Sequence, residues 1–302
     1  MSAVEPAIVT SSLSKRYSGS EVYALKGVSI SVMPGEVYGF LGPNGAGKST
    51  TIRLLMNFIQ PTSGQASILG LDIVKNPARI KSSVGYLSGE VALYPKMTGR
   101  QFLKYMSDLQ PPKRASYVTE LSKRFGAVLN QRIGSLSKGN RQKIGIIQAF
   151  MHQPKVFILD EPTAGLDPLM QEVFFELALS AKADGASLFI SSHNLGEVQK
   201  MCDRIGFIRR GKLISEQTIA DLTASASQTF HIHFAQATPM LELKHIPRAK
   251  VTLNSPHSVT VRLQGDMSPL FAVLAHHKVR SLDRREVNLE EEFMRFYKDD
   301  KK

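Results

Sequence analysis

The chain has 302 residues, 42% hydrophobic and 21% charged, which is enough apolar material for a buried core and excludes overall disorder. Its length predicts one large domain or two of unequal size, and a formal net charge of +12 favours polyanions (nucleotide, nucleic acid or an anionic membrane face) while also suiting an ordinary basic surface. The single cysteine, Cys202, excludes an internal disulfide framework and reads as a small buried residue in a reducing compartment. The start MSAVEPAIVT is not a secretory leader and no apolar run reaches about 18 residues, so the expectation is a soluble or peripheral protein.

Residues 8 to 40 place AIVTSSL, VYALKGVSISV and VYGFL around turn signals, which predicts strands leading into the glycine-rich stretch GPNGAGKST. After it, TTIRLLMNFI carries Ile52, Leu55 and Ile59 at helical spacing and stops at Pro61. From about 91 to 150 the pattern is helical, with QFLKYMSDL and YVTELSKRFGAVL as its clearest amphipathic pieces. KVFILD and ASLFISS are short apolar runs of the kind buried in parallel sheets, separated by the helical QEVFFELALSAKADG. The fold class expected is α/β with a mostly parallel sheet, an antiparallel β portion and a helical subdomain.

The polar stretch TASASQT, 223 to 229, reads as a linker between a first domain, 1 to 222, and a small C-terminal α+β domain, 223 to 302. In the second, FHIHF, KVTL and SVTVRL alternate as strands, and PLFAVLAHH reads as a helix. NLEEEFMRFYK closes the chain as a helix that Asn288 can cap, with Leu289, Phe293 and Phe296 on one face. His231 and His233 in FHIHF fit an alternating strand better than a metal site.

GPNGAGKST spans Gly42, Pro43, Asn44, Gly45, Ala46, Gly47, Lys48, Ser49 and Thr50 and matches G-x-x-x-x-G-K-[ST] between a strand and a helix. Glycines let main-chain N–H groups turn toward phosphates, and the helix adds its positive end. Lys48 is placed to reach β- and γ-phosphates, and the Ser49 hydroxyl takes a Mg²⁺ position. VFILDEP ends a strand in Asp160, a second Mg²⁺ ligand through water, followed at once by Glu161, the expected general base.

With these motifs the chain resembles ABC-type ATPases over about residues 5 to 222. LSKGNRQ at Leu136 to Gln142 is similar to the family's signature loop, AGLD at Ala164 to Asp167 to its D-loop, and SSHNL around His193 to its switch histidine. The resemblance implies that Tyr17 stacks on adenine, with Tyr23 the alternative, and that Ser137 and Gly139 contact nucleotide held by a second subunit. It implies also that Asp167 lies at a dimer seam and that His193 orients Glu161 and the attacking water. Two departures stand out: GYLSGE puts Gly89, followed by Glu90, where the family has a glutamine, and Lys138 and Asn140 replace the usual glycine and glutamine of the signature. Either Glu90 substitutes for that glutamine or its contact is absent.

YLSGEVALYPKMTGRQFL and the closing NLEEEFMRFYK resemble the ATP-binding subunits of ABC-2-type exporters, a group that includes drug, antibiotic and toxin efflux systems. That resemblance implies a homodimer, a separate membrane permease as partner, and a place at the cytoplasmic face of the membrane. The alternative is a non-transport ABC ATPase acting on nucleic acid or ribosomes. One cassette, no extended heptad tract and no aromatic-rich basic motif argue against it, so no nucleic-acid partner is expected.

Overall fold

The computed structural model describes residues 4–114, 116–225 and 228–285, and the chain divides into two compact units between Gln217 and Thr218. The first unit opens with β1 (Ile8–Arg16), β2 (Tyr23–Val32) and β3 (Val37–Leu41), then α1 (Lys48–Leu55), β4 (Ser63–Ile68), β5 (Leu71–Asp72), α2 (Pro77–Lys81) and β6 (Val84–Leu87). A helical insertion follows: α3 (Gly99–Leu109), α4 (Tyr117–Arg124) and α5 (Lys138–Phe150). The unit closes through β7 (Val156–Asp160), α6 (Pro168–Ala183), β8 (Ser187–Ser192), α7 (Leu195–Met201), β9 (Arg204–Arg209) and β10 (Lys212–Thr218), whose last residue lies past the division.

Two sheets organise this unit. One has the order β2-β1-β4-β5 and is antiparallel at each contact. The other has the order β10-β9-β3-β8-β7-β6, with parallel pairing from β9 through β6. Every residue of VYGFL in β3, VFILD in β7 and SLFISS in β8 is buried, as continuous apolar strands covered on both faces must be. The C-terminal ends of β3, β7 and β8 therefore emerge side by side at one edge, and the loops that follow them share that edge. Cys202 is buried against β3, with its sulfur 3.0 Å from the place a Cβ on Gly39 would take. Burial pushes its thiol far above the ordinary range.

Helix α1 ends at Leu55, short of the stop expected at Pro61, because Asn57 takes a left-handed conformation, φ 51°, that a helix cannot continue. Within the stretch expected as a linker, Thr223 to Ser225 finish α8 (Ile219–Ser225) and Gln228 and Thr229 begin β11 (Gln228–Phe234). Thr218 Oγ1 accepts the Asp221 N–H at 2.9 Å, a local bond that starts α8 ahead of the small polar residues.

The second unit continues with α9 (Met240–Lys244), β12 (Ala249–Ser255), β13 (Ser258–Leu263), α10 (Ser268–Ala275) and β14 (Val279–Arg285). The strands form an antiparallel sheet ordered β12-β13-β11-β14, a split β-α-β-β-α-β arrangement. Phe230, Ile232, Phe234, Val259 and Val261 of one face pack with Leu243, Leu270 and Leu274 of the helices. His231 and His233 alternate with that buried set, and among the described residues no group of three His, Cys, Asp or Glu side chains could hold a metal. The closing helix expected at NLEEEFMRFYK lies outside the described residues.

Candidate active site

The loop from Gly42 to Thr50 leaves the C-terminal end of β3 and runs into α1. Gly47 caps that helix with φ 113°, a conformation open to glycine, and offers no side chain to the first-turn N–H groups. No acidic residue occupies the first turn either, so these amides and the positive helix end remain available to an anion. A Cβ on Gly47 would lie 2.8 Å from the Ala24 carbonyl, so the loop packs directly on the start of β2. Lys48 is only 6% exposed; its Nζ donates to the Gly42 carbonyl at 2.7 Å and lies 3.2 Å from Glu161 Oε1. Ser49 and Thr50 stand beside it at the surface end of α1.

Asp160 ends β7 and is buried; Ser191 of the adjoining strand donates its hydroxyl to Asp160 Oδ1 at 2.5 Å. Glu161 follows with φ 47°, a left-handed conformation rare outside glycine, and its N–H is bonded to Ser191 at both the carbonyl (3.2 Å) and Oγ (3.0 Å). This turns the Glu161 side chain toward Lys48 on one side and His193 on the other. His193 Nδ1 is 2.8 Å from Glu161 Oε2, and the histidine is 60% exposed. Three residues from three separate sequence motifs thus meet around one carboxylate.

Ser137 caps α5: its hydroxyl accepts the Asn140 N–H at 3.2 Å and keeps its own proton to donate. Gly139 lies so close to the AGLD loop that a Cβ there would sit 2.7 Å from the Gly165 carbonyl, and the Lys138 stem lies along Gly165. Asp167 is exposed and caps α6, accepting the Met170 N–H at 3.0 Å. Among the described residues no hydrogen bond joins Ser137, Gly139 or Asp167 to the loop from Gly42 to Thr50. Tyr17, 40% exposed, follows β1 with the Lys15 ammonium 5.5 Å from its ring centroid, while Tyr23 sits between the cations of Arg16 and Lys26.

Several contacts escaped the motif reading. Gln142, buried, donates its amide to the Pro162 carbonyl at 2.7 Å and so ties α5 to the turn after Glu161. Asn140 exchanges two hydrogen bonds with the main chain of Val128, Oδ1 from N at 2.8 Å and Nδ2 to O at 3.0 Å. Glu197 of α7 accepts from Thr163 Oγ1 at 2.8 Å and Ser192 Oγ at 3.0 Å, bracing the ends of β7 and β8. Short polar residues at strand ends were the available signal, but their partners are distant in sequence.

The loop after β6 brings Gly89 against Asp160: a Cβ there would lie 3.3 Å from Oδ2. Glu90 is exposed, and it is its carbonyl that Ser88 Oγ holds, at 2.5 Å. Tyr86, at the end of β6, has its hydroxyl pushed above the usual range by burial and, second, by the Asp160 charge.

Residues 25–164 match the profile of the ABC transporter family. The chain is 37% identical over 226 residues to the ABC transporter ATP-binding protein NatA of Bacillus subtilis, covering 72% of this chain and 92% of that protein. It is 36% identical over 212 residues to the bacitracin transport ATP-binding protein BcrA of Bacillus licheniformis, covering 69% of each. Among solved structures, the ATP-binding subunit of an ABC transporter superposes with a TM-score of 0.65 at 30% identity, over 72% of this chain and 91% of that one. A dimeric bacterial ABC transporter cassette gives 0.64 at 22% identity, over 70% and 98%, a likeness of fold.

Proposed function

The chain belongs to the ATP-binding, ATP-hydrolysing subunits of the ABC transporter family, and we propose that it powers a separate membrane permease of the ABC-2 exporter type, working as a homodimer at the cytoplasmic face of the membrane. The observation that carries the catalytic part is the convergence of Lys48, Glu161 and His193 at the edge where β3, β7 and β8 end. The bacitracin-transport name of one relative supports a transport role, and the dimeric cassette of like fold is in keeping with pairing. Among the described residues no helix is long and apolar enough to cross a membrane.

ATP enters as substrate. Its phosphates fit the uncapped first-turn amides of Lys48, Ser49 and Thr50, and the Lys48 ammonium exchanges Glu161 for the β- and γ-phosphates, since phosphate oxygens carry more charge than one carboxylate. Glu161, freed from Lys48, accepts a proton from water, while His193 holds the other carboxylate oxygen and fixes its direction. The oxygen donors of Ser49 and Asp160 suit Mg²⁺, a hard cation that would offset phosphate charge. Ser137, Gly139 and Asp167 face the nucleotide of the second subunit, which accounts for their separation from the phosphate loop of their own chain.

The test of the transport reading is affinity isolation of the tagged protein from gently solubilised native cells. A stoichiometric multi-span membrane protein supports it. Ribosomes or nucleic acid surviving moderate salt would replace it with the alternative.

A further inference from the structure

Three turns meet at the edge of the parallel sheet opposite the phosphate loop. Helix α3 stops ahead of Pro111 and Pro112, which lack the N–H a helix needs, and Lys113 and Arg114 carry the chain on toward α4. Helix α5 gives way to β7 through Gln153, φ 51°, and Pro154, while α6 gives way to β8 through Gly185, φ 87°. Between the three turns lies a cavity of about 690 Å³, a volume in the range of small-molecule sites.

Its interior and its rim differ in chemistry. Phe150 and Phe157, both buried, stack with ring centroids 4.2 Å apart, and the half-buried Tyr117 adds a third ring to the lining. Exposed at the rim are Lys113, Arg114, Lys155 and Asp184. Arg114 is engaged within its own segment: its guanidinium lies 5.2 Å from the Tyr117 ring centroid, and Nη2 is 3.3 Å from Glu120 Oε2. Among the described residues the ammonium groups of Lys113 and Lys155 have no hydrogen-bond or ion-pair partner, and Asp184 is the one carboxylate in the lining. An excess of positive charge thus borders an aromatic interior.

We propose that this cavity binds a small amphiphilic anion, a planar aromatic body bearing a carboxylate or sulfonate. The rings enclose the body in offset or edge-on contact, and Lys113 and Lys155 hold the acid group at the rim. A neutral aromatic leaves both ammonium groups unmatched, and a compact inorganic anion leaves the rings without a partner, so the amphiphile is the class that suits both parts. The five residues of β7, about 16 Å of strand, separate Lys155 from Glu161. A ligand in this cavity and a nucleotide at the phosphate loop therefore bind at the same time, at opposite ends of one strand.

The experiment titrates the full chain, in excess ADP, with anilinonaphthalene sulfonate, read by its fluorescence, and in parallel with phenylnaphthylamine, which has the same rings without the acid. The expected result is one sulfonate dye per chain, undisturbed by ADP, with affinity about tenfold weaker in the double variant Lys113→Ala, Lys155→Ala. Affinity of that variant for phenylnaphthylamine stays at the wild-type value, whereas Tyr117→Ala weakens both dyes. Both lysines are exposed, and an unchanged ADP affinity verifies that the double variant is folded, so it decides alone if Tyr117→Ala does not fold. Wild-type affinity for the sulfonate dye in the double variant, an equal loss for both dyes there, or displacement of the dye by ADP overturns the proposal.

Discussion

His193 Nδ1 and Glu161 Oε2 lie 2.8 Å apart, joining the turn after β8 to the turn after β7. The pair leaves Glu161 Oε1 to Lys48 at 3.2 Å, so one carboxylate is shared between an ammonium and an imidazole. Replacing the carboxylate with an amide keeps its shape and removes its basicity. Glu161→Gln is expected to bind ATP and to lose turnover on the order of 10²- to 10⁴-fold, with ATP-bound dimer accumulating on size exclusion. Brisk hydrolysis would remove Glu161 from the base role.

Lys48→Ala removes a nearly buried ammonium and leaves Glu161 without its cation. Charge-assisted contacts of this kind contribute about 1.5–3 kcal/mol, so nucleotide affinity should weaken about 10- to 100-fold. Calorimetric titration with ATP checks it; unchanged affinity would contradict the phosphate-loop assignment.

Gln142 is the buried tie between α5 and the Pro162 carbonyl. Truncation strands that carbonyl, and Gln142→Ala should cost about 1–3 kcal/mol in urea unfolding. Because Pro162 follows Glu161 directly, turnover should fall with metal-free nucleotide binding unchanged. Equal stability of the two proteins would show that water takes over the bond.

His152 is buried after α5, its Nε2 has no hydrogen-bond partner, and its pKa is lowered chiefly by burial and also by Lys113. A histidine that is less basic folded than unfolded takes up a proton on unfolding, so its contribution is complete above about pH 6.5 and is lost as pH falls below that value. The urea midpoint of the wild type should therefore drop more between pH 7.5 and 5.5 than that of His152→Gln. Parallel profiles would assign the acid sensitivity elsewhere.

The convergence of Lys48, Glu161 and His193 was legible because such chemistry demands residue types at fixed spacing: a lysine after glycines, an acidic pair ending an apolar strand, a histidine after a second such strand. What spacing does not reveal is how main-chain groups are satisfied across the fold. Asn140 looks in the sequence like a lapse from a signature, yet in the structure it completes the backbone of Val128. Ser191 reads as the tail of a strand and proves to hold both Asp160 and Glu161. Helix α1 was overextended for the same reason, since Asn57 turns left-handed by a local preference that apolar periodicity does not record.

The strand order bears on how the protein is made. β3 carries the phosphate loop, but its hydrogen-bonding neighbours on both sides come from far downstream: Val37 pairs with Leu188, and Tyr38 with Arg204. On the ribosome the glycine loop is translated early and stays without either flanking strand until most of the first unit has emerged, an arrangement of non-local contacts that slows folding. A nascent chain halted before β8 holds the sequence of a nucleotide site with no sheet edge on which to build it.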